Sequence, residues 1–298
     1  MADRPISDDL LPELREWFDY NRAAGCLADE MIQSLVEVGY RGVDAARFVE
    51  AQFAAWERRQ VAGGGFDAEP ARDAGDAVDR LWRRTEVLYA FNAVDLGDRT
   101  VRLLAKNPRE GIFFLPDFLS DQECEGLIAE AGGHLSDSLI FDEDDGANLL
   151  SASRSSRNGM IPRGASELAR RIEARIAKLT DLPVAHGEGL QVLQYGLGGE
   201  YRPHFDFFDP ETKGGSRVLA RSSQRLATVI MYLSDVEGGG GTQFPELALE
   251  FSPRKGAALL FASLGRDGAP LRTSLHWGRP VTSGEKWIAT KWIRVAPH

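Results

Sequence analysis

The apolar positions in the first sixty residues repeat at helical spacing. Leu10, Leu14 and Trp17 fall on one helical face, and two later triplets share that spacing: Met31 with Leu35 and Val38, and Val49 with Phe53 and Trp56. Gly39 stands where the second of these helices would stop. The pattern therefore predicts a small N-terminal helical domain over residues 1–60.

A stretch rich in Gly, Ala and Asp separates this domain from the rest of the chain. Residues 61–77 show no apolar periodicity, which is typical of a flexible linker or an exposed loop. An apolar helical pattern from about Val78 to Phe91 follows. We therefore assign residues 61–94 to a linker and a connecting helix, and we begin a second domain at residue 95.

The second domain, residues 95–298, combines a few helices with many short strands. An apolar strand is predicted at 112–119, and Ser120 with Glu123 forms a capping box that opens a helix. A second helix is predicted from about Ser166 to Leu179. Beyond it the chain predicts only strands separated by turns: LQVLQY, EYRPHFDFF, RLATVIMYL, TQFPELALEF, GAALLFA, TSLHW and KWIATKWIRV. This order indicates an α+β protein whose body is a sandwich or jelly roll rather than a parallel sheet.

Composition narrows the class of protein. Hydrophobic residues at 43% and charged residues at 27% are ordinary for a soluble globular chain, and a net charge of −10 argues against a nucleic-acid partner. The two cysteines, Cys26 and Cys124, lie far apart and suit a reducing compartment. We recognise neither a signal peptide nor an apolar run of about 18 residues, so we expect a cytoplasmic protein without a membrane span.

Three side chains are candidates for a metal site. His204 and Asp206 are two residues apart on a predicted strand, so both side chains point to the same face. Of the five histidines, His276 is the one on a later strand within the strand-rich block. Two imidazoles and one carboxylate leave about three positions of an octahedral metal open, as in non-haem Fe(II) oxygenases. A His-x-Asp pair is common by chance, however, and a structural histidine is the competing interpretation.

A lysine on the last strand is a candidate for binding an anion. Lys286 shares its face with Ile288, Thr290 and Trp292, and burying a lysine there is costly unless it meets a negative charge. The opposite face also mixes charged and apolar residues, so a solvent-facing lysine stays an alternative. Tyr232 and Tyr195, each on an apolar strand, could likewise bind a ligand or a backbone carbonyl.

The order of these segments resembles a known family. LQVLQYGLGGEYRPHFDFFDP, QRLATVIMYLSDVEGGGGTQFPE, KGAALLF and SLHWGRPVTSGEKWIATKWIR follow one another as in the prolyl 4-hydroxylase family of Fe(II)- and 2-oxoglutarate-dependent dioxygenases. The resemblance runs almost continuously from about Ile112 to Arg294. The lead-in from Asp95 resembles bacterial members. The family implies a double-stranded β-helix, a form of jelly roll, with iron at one open end.

The resemblance also implies roles for individual residues. His204, Asp206 and His276 would be the catalytic iron ligands, and Lys286 would pair with the far carboxylate of 2-oxoglutarate. Further residues that match or lie near the co-substrate pocket are Tyr195, Tyr232, Thr242 and Trp292. Arg154, in SRSSRNGMI, matches an Arg-x-Ser segment at the substrate entrance and is a candidate for contacting a peptide; a solvent-exposed loop arginine is the alternative.

The implied activity is hydroxylation of an unactivated C–H bond, with prolyl residues of a peptide or protein as the favoured target. Fe(II), 2-oxoglutarate and O2 would be required, ascorbate is a further candidate, and succinate and CO2 would be released. Three alternatives stay open: a hydroxylase of a free amino acid or small metabolite, a zinc hydrolase, and a non-catalytic metal-binding jelly-roll module.

The sequence leaves the roles of three further features open. Trp277 follows His276 where relatives tend to carry a small residue, so the pocket rim could be reshaped. The basic loop 213–225, with Lys213, Arg217, Arg221 and Arg225, could attract an acidic substrate or be solvated. The N-terminal helical domain could recruit a protein or serve as a packed accessory bundle.

Overall fold

The computed structural model describes residues 4–6, 11, 14–15, 18, 28–63, 74–132, 135–137, 139–141, 148–150 and 156–298. Its helices are α1 (Ala28–Glu37), α2 (Gly42–Gly63), α3 (Ala74–Ala90), α4 (Asp121–Gly132), α5 (Glu167–Thr180) and α6 (Lys213–Leu219). Single 3-10 turns lie at Val184–His186, Pro245–Leu247 and Arg272–Ser274. Among the helices described, none combines the length and the hydrophobicity of a membrane-spanning segment.

The strands, in chain order, are β1 (Ala93–Asp95), β2 (Thr100–Arg102), β3 (Ala105–Asn107), β4 (Ile112–Leu115), β5 (Ser136–Asp137), β6 (Leu139–Phe141), β7 (Asn148–Leu150), β8 (Arg157–Ile161), β9 (Leu190–Tyr195), β10 (Tyr201–His204), β11 (Arg225–Tyr232), β12 (Gly238–Gly239), β13 (Thr242–Phe244), β14 (Leu249–Phe251), β15 (Ala258–Ala262), β16 (His276–Gly278), β17 (Val281–Ser283) and β18 (Lys286–Arg294).

Two antiparallel sheets form the body of the protein. The major sheet has eight strands in the order β3-β4-β15-β11-β18-β9-β8-β5, and the minor sheet has four in the order β10-β16-β13-β14. One apolar cluster combines side chains of both sheets, among them Ile230 and Ile288 from the major sheet and Phe244 from the minor sheet. The expected double-stranded β-helix is therefore confirmed.

Helices supply the second layer of the core. Buried side chains of α3, α4 and α5 join those of the major sheet in the largest cluster, for example Trp82, Leu127 and Ile172. This is why β11 is buried along almost its whole length rather than on alternate residues. Trp82 also donates its indole N–H to the carbonyl of Leu264 (3.2 Å). The helix that we assigned to the connecting segment thus packs into the core of the second domain.

The N-terminal residues have a core of their own. Buried members of this third cluster include Met31, Leu35 and Val49. Gly39 adopts a φ of +99° just after α1, as its predicted stop position requires. Val38, however, is 69% exposed because α1 ends at Glu37, so its predicted place on the apolar face is wrong. Leu10 and Trp17, and the side chains of Phe53 and Trp56, lie outside the described parts of the chain.

Several predicted boundaries need correction. The expected linker 61–77 is too long, because α2 continues to Gly63 and α3 begins at Ala74; residues 64–73 lie outside the described chain. The predicted strand 242–251 is interrupted at Pro245, which cannot donate to a sheet and instead opens a 3-10 turn. The predicted strand at 273–277 begins in the 3-10 turn Arg272–Ser274 and becomes extended only at β16.

Helix ends follow the capping signals. The Ser120 backbone N–H donates to Glu123 Oε2 (2.9 Å), and the Glu123 N–H donates to Ser120 Oγ (3.2 Å), which confirms the capping box. The segment that we expected to be a loop after residue 209 contains helix α6, where the Thr212 hydroxyl accepts from the Gly215 N–H (3.0 Å). The expectation of strands alone beyond residue 190 is therefore wrong at this point.

Candidate active site

The predicted metal ligands come together on the minor sheet. His204 ends β10 and is the register partner of His276, which begins β16. Asp206 lies two residues past His204, beyond the strand rather than on it as predicted. The ligand atoms of the three side chains all lie within 4.8 Å of one another. The Nε2 atoms of His204 and His276 lie 3.8 and 3.7 Å from the two carboxylate oxygens of Asp206.

Backbone carbonyls orient both imidazoles. His204 Nδ1 lies 2.8 Å from the carbonyl of Arg202, and His276 Nδ1 lies 3.0 Å from the carbonyl of Ser274. Because a carbonyl only accepts, each Nδ1 carries a proton, which in the neutral ring leaves the lone pair on Nε2. Metal-binding histidines are commonly fixed in this way. The two Nε2 atoms beside Asp206 are thus in the form that binds a metal.

Asp206 is kept as a carboxylate. It is 6% exposed, and the Thr228 hydroxyl donates to its Oδ2 (2.7 Å). Burial works to raise the pKa of Asp206, but the positive charge that His276 and His204 carry when protonated opposes it. Arg225 and the hydrogen bond from Thr228 act in the same direction as the histidines, and the pKa lies below its ordinary value.

The three ligands open onto a cavity of about 40 Å³. Its wall consists of Leu193, Tyr195, Tyr201, His204, Asp206, Ile230, Thr242, His276, Gly278, Lys286, Ile288, Thr290 and Trp292. Two nitrogen donors and one carboxylate on one side, with the cavity on the other, fit Fe(II) and leave room for further ligands. In the described chain, no second group of three His, Cys, Asp or Glu side chains could hold a metal.

Lys286 brings a buried positive charge to the same cavity. It opens β18 opposite Tyr195 in register, is 2% exposed, and its Nζ lies 5.3 Å from the centre of the Tyr195 ring. Burial lowers the pKa of Lys286 to about 8, although the charge of Glu250 acts in the opposite direction. Within the described chain, no carboxylate forms a salt bridge with Lys286. The site therefore fits an anionic ligand that would restore the charge balance.

The remaining predicted pocket residues take different places. Thr242 lines the cavity, whereas Tyr232 is fully buried one layer behind and donates its hydroxyl to Thr242 Oγ1 (2.8 Å). That bond leaves the Thr242 hydrogen available to a ligand. Trp292 lines the cavity, and its buried Nε1 finds no hydrogen-bond acceptor among the described residues. An orphaned donor at this wall fits a bound ligand with oxygen atoms.

Comparison with known proteins agrees with this geometry. The family model of the 2OG-Fe(II) oxygenase superfamily matches residues 190–294. "Probable prolyl 4-hydroxylase 3" of Arabidopsis thaliana is 40% identical over 260 residues, which cover 80% of this chain and 88% of the relative. This chain belongs to the prolyl 4-hydroxylase family of 2OG-Fe(II) oxygenases. "Prolyl 4-hydroxylase 5" of the same plant is 40% identical over 220 residues, covering 67% and 72%. Both relatives are plant proteins, so the expected bacterial type is not shown.

A solved structure is similar as well. The viral collagen prolyl hydroxylase from Paramecium bursaria Chlorella virus-1 is 29% identical, and the match covers 61% of this chain and 95% of that one with a TM-score of 0.48. The overlay is loose at that TM-score. The fold assignment therefore rests on the sheet topology and the family model.

The glycine run of this prolyl 4-hydroxylase family member has a packing role beside Lys286. Gly239 and Gly240 both adopt a φ of +69°, a conformation that other residues rarely take. A Cβ on Gly240 would lie 3.3 Å from Lys286 Cδ, and one on Gly239 would lie 2.2 Å from the carbonyl of Pro280. The glycine run lets the backbone pass close to the aliphatic part of the Lys286 side chain.

Of three expectations about the surroundings of the site, one falls outside the described residues and two are corrected. Arg154 lies outside the described residues. Trp277 does not line the cavity: it points to the other side of β16, where its indole N–H donates to Glu200 (3.0 Å), so the expected change to the pocket rim is wrong. Arg225 is not part of a solvated basic loop, since it begins β11 and pairs with Glu188.

Sequence reasoning missed an aromatic wall residue of this family member. Tyr201 lines the cavity, and its ring stacks on His204 with 3.5 Å between centroids. A register shift between Tyr201 and His204 puts two residues three apart on the same side of β10. The simple two-residue alternation of a strand hides this relation, and only knowledge of the bulge would have revealed it.

Proposed function

We propose that this protein is an Fe(II)- and 2-oxoglutarate-dependent prolyl 4-hydroxylase acting on a peptide or protein. One observation supports this most strongly: the buried Lys286 and the cluster of His204, Asp206 and His276 line one cavity. A metal cluster with open positions and a buried cation together suit a co-substrate that is both a chelator and an anion.

The chain's own residues divide the binding between them. His204, Asp206 and His276 would hold Fe(II), while Lys286 and the Thr242 hydroxyl would hold the far carboxylate of 2-oxoglutarate. When bound, the iron and 2-oxoglutarate would supply the oxidation that places one oxygen atom of O2 in the new hydroxyl group and the other in succinate, while 2-oxoglutarate loses CO2. Apolar wall residues keep water from the site and strengthen the charge pair; they are Leu193, Ile230 and Ile288.

The proposed substrate is a prolyl residue within a polypeptide. Support comes from the relatives, whose names describe prolyl 4-hydroxylases, and from a cavity that opens to the surface. To test it, proline-containing peptides and free proline are incubated with Fe(II), 2-oxoglutarate and O2, and products are mapped by fragmentation mass spectrometry. We expect one added oxygen on prolyl residues. Hydroxylation of free proline or another small metabolite alone would favour the alternative substrate class.

The zinc hydrolase alternative lacks a needed group. A metal-activated water for hydrolysis is usually served by a nearby general base, but among the described residues the cavity wall holds no carboxylate or imidazole other than the three predicted ligands. A non-catalytic metal module, in turn, gives the buried Lys286 no partner. Succinate formation that disappears in His204→Ala separates the proposed enzyme from both. Metal-dependent stability without turnover would instead support the module.

Four expectations stay predictions. Ascorbate dependence is tested by leaving ascorbate out of the same assay. We further propose that the N-terminal helices recruit a protein partner, that the protein is of the bacterial type, and that it is cytoplasmic. The exposed Val38 and Val43 beside the turn between α1 and α2 support only the first of these three.

A further inference from the structure

Arg225 is held rigidly beside the cavity. Its side chain is 16% exposed and its partner Glu188 is 13% exposed. Arg225 Nε donates to Glu188 Oε1 (2.7 Å), and Nη2 donates to Oε2 (3.0 Å). Such a two-pronged pair fixes the plane of the guanidinium group as well as its position. Arg225 is therefore oriented before any ligand binds.

The rest of the same guanidinium group reaches two parts of the site. Its flat face lies over the ring of Trp292, with 3.8 Å between Cζ and the ring centroid. Its Nη1 donates to the backbone carbonyl of Asp206 (3.3 Å). Trp292 is a wall of the cavity and Asp206 is a predicted ligand. The Arg225 side chain thus contacts both the backbone of Asp206 and the indole ring of Trp292.

We propose that Arg225, clamped by Glu188, is a positioning residue that fixes Asp206 and Trp292 for metal binding. The inference rests on the proposed function only in taking Asp206 as a metal ligand. Loss of a group that orients a metal ligand typically costs about 10- to 100-fold in metal affinity. The carbonyl contact holds the Asp206 backbone, while Thr228 holds its carboxylate.

An arginine is needed at this position for geometric reasons. The five N–H donors of a planar guanidinium can form the fork to Glu188, reach Asp206 and stack on Trp292 at once. A lysine at position 225 would keep the positive charge but could make neither the fork nor the stack. Arg225→Lys therefore separates positioning from charge.

Arg294 provides a matched control. It donates to the same Glu188 through Nε (2.9 Å), and it also bonds to Ser222 and Ser223. No contact among the described residues joins Arg294 to Asp206 or Trp292. Arg294→Lys thus loosens one bond to the same carboxylate and should lower the stability of the fold to a similar degree, while the contacts of Arg225 with Asp206 and Trp292 stay in place.

The test is a titration of the metal-free protein with Co(II), followed by the visible absorption of the bound ion, together with thermal unfolding of the metal-free variants. We expect Arg225→Lys to weaken Co(II) binding about tenfold or more, and Arg294→Lys to change it less than about twofold. Equal Co(II) affinities of the two variants would overturn the proposal.

A second variant covers the case in which Arg225→Lys does not fold. Glu188→Gln keeps the shape of the clamp but weakens its hold on the guanidinium, so it should weaken Co(II) binding more than Arg294→Lys does. If Glu188→Gln binds Co(II) like the wild type, the proposal is also overturned. The outcomes are separable from the proposed function, because a wild-type protein that binds Co(II) without 2-oxoglutarate turnover refutes the function and leaves the affinity comparison intact.

Discussion

Lys286 is a buried cation whose charge depends on pH near neutrality. Its pKa of about 8 lies below the ordinary 10.5, because burial favours the neutral amine. The unfolded chain therefore binds the proton more tightly, so this group adds stability to the ligand-free protein as pH rises from about 8 to 10.5. Binding of an anionic co-substrate has the opposite dependence, since it needs the protonated amine.

We predict that kcat/KM for 2-oxoglutarate falls by about tenfold per pH unit above pH 8 as Lys286 loses its proton. Arg stays protonated over this range, so Lys286→Arg should flatten the alkaline limb, whatever its absolute rate. Initial-rate measurements of succinate release across the pH range decide this. An alkaline limb that is identical in Lys286→Arg would assign the titration to another group.

Thr228 tests the second contact that holds Asp206. Thr228→Val keeps the shape but removes the hydroxyl that donates to Asp206 Oδ2, so we expect the pKa of Asp206 to rise and Co(II) affinity to fall about tenfold. Thr180→Val is the control, because Thr180 is equally buried and donates to the Ile176 carbonyl far along α5. Calorimetric titration with Co(II) should separate the two variants. The same affinity in both would mean that the hydrogen bond does not tune the site.

At the scale of single residues, the sequence predicted which side chains form the site but not which residues contact them. The order of His204, Asp206, His276 and Lys286 along matched strands was enough to bring four side chains into one cavity. Alternation along a strand gives the face of a residue, but not which residue of another strand lies against it. Arg225 was consequently grouped with a solvated loop, because its partner Glu188 is 37 residues away in the chain and the pairing could not be seen from the sequence.

The glycine-rich connection before β13 makes a prediction at the scale of an element. Gly240→Ala places a Cβ against Lys286 Cδ and adds the strain of a positive φ, so KM for 2-oxoglutarate should rise roughly tenfold. Gly268→Ala carries the same strain, with a φ of +75°, but meets no atom within 4 Å. It should lower the unfolding temperature by a few degrees, from about 1 kcal/mol of strain, and leave KM unchanged. Equal KM values for Gly240→Ala and Gly268→Ala would contradict the proposed packing role of the glycine run beside Lys286.

Elements with strong periodicity were predictable, and their interruptions were not. The helix over α5 and the strands β9, β11 and β18 lie close to their predicted places. The exceptions depend on contacts that a sequence does not show: α6 is a short helix capped by Thr212 within an apparent loop, and β10 stops at His204 so that Asp206 can turn toward His276. Of these two departures, the end of β10 lies at the site.

At the scale of the whole molecule, α3 decides where the chain can be shortened. A chain that begins at Ala74 keeps Leu81, Trp82 and Leu88 in the main core, and we expect it to fold and to turn over 2-oxoglutarate. A chain that begins at Asn92 loses these side chains, each worth about 1.5–3 kcal/mol of burial. That loss is comparable to the whole stability of a typical domain, so the shorter chain should not unfold cooperatively.

Circular dichroism melting of the two shortened chains gives the answer. Similar cooperative transitions in both would show that α3 is dispensable to the core. The contact could not be predicted from the sequence, because the apolar face of an amphipathic helix indicates that it packs, but not against what. Residues 64–73, between α2 and α3, carry no apolar pattern that would settle the question.

The cavity is proposed to use O2 and 2-oxoglutarate together to hydroxylate a prolyl residue. The most direct measurement supplies heavy-isotope O2 to the protein with Fe(II), 2-oxoglutarate and a proline-containing peptide, and follows both products by mass spectrometry. We predict one heavy oxygen in the hydroxyprolyl residue and one in succinate, in equal amounts, with both signals lost in His204→Ala. Heavy oxygen in neither product, or a hydroxyl oxygen that comes from water alone, would contradict this account.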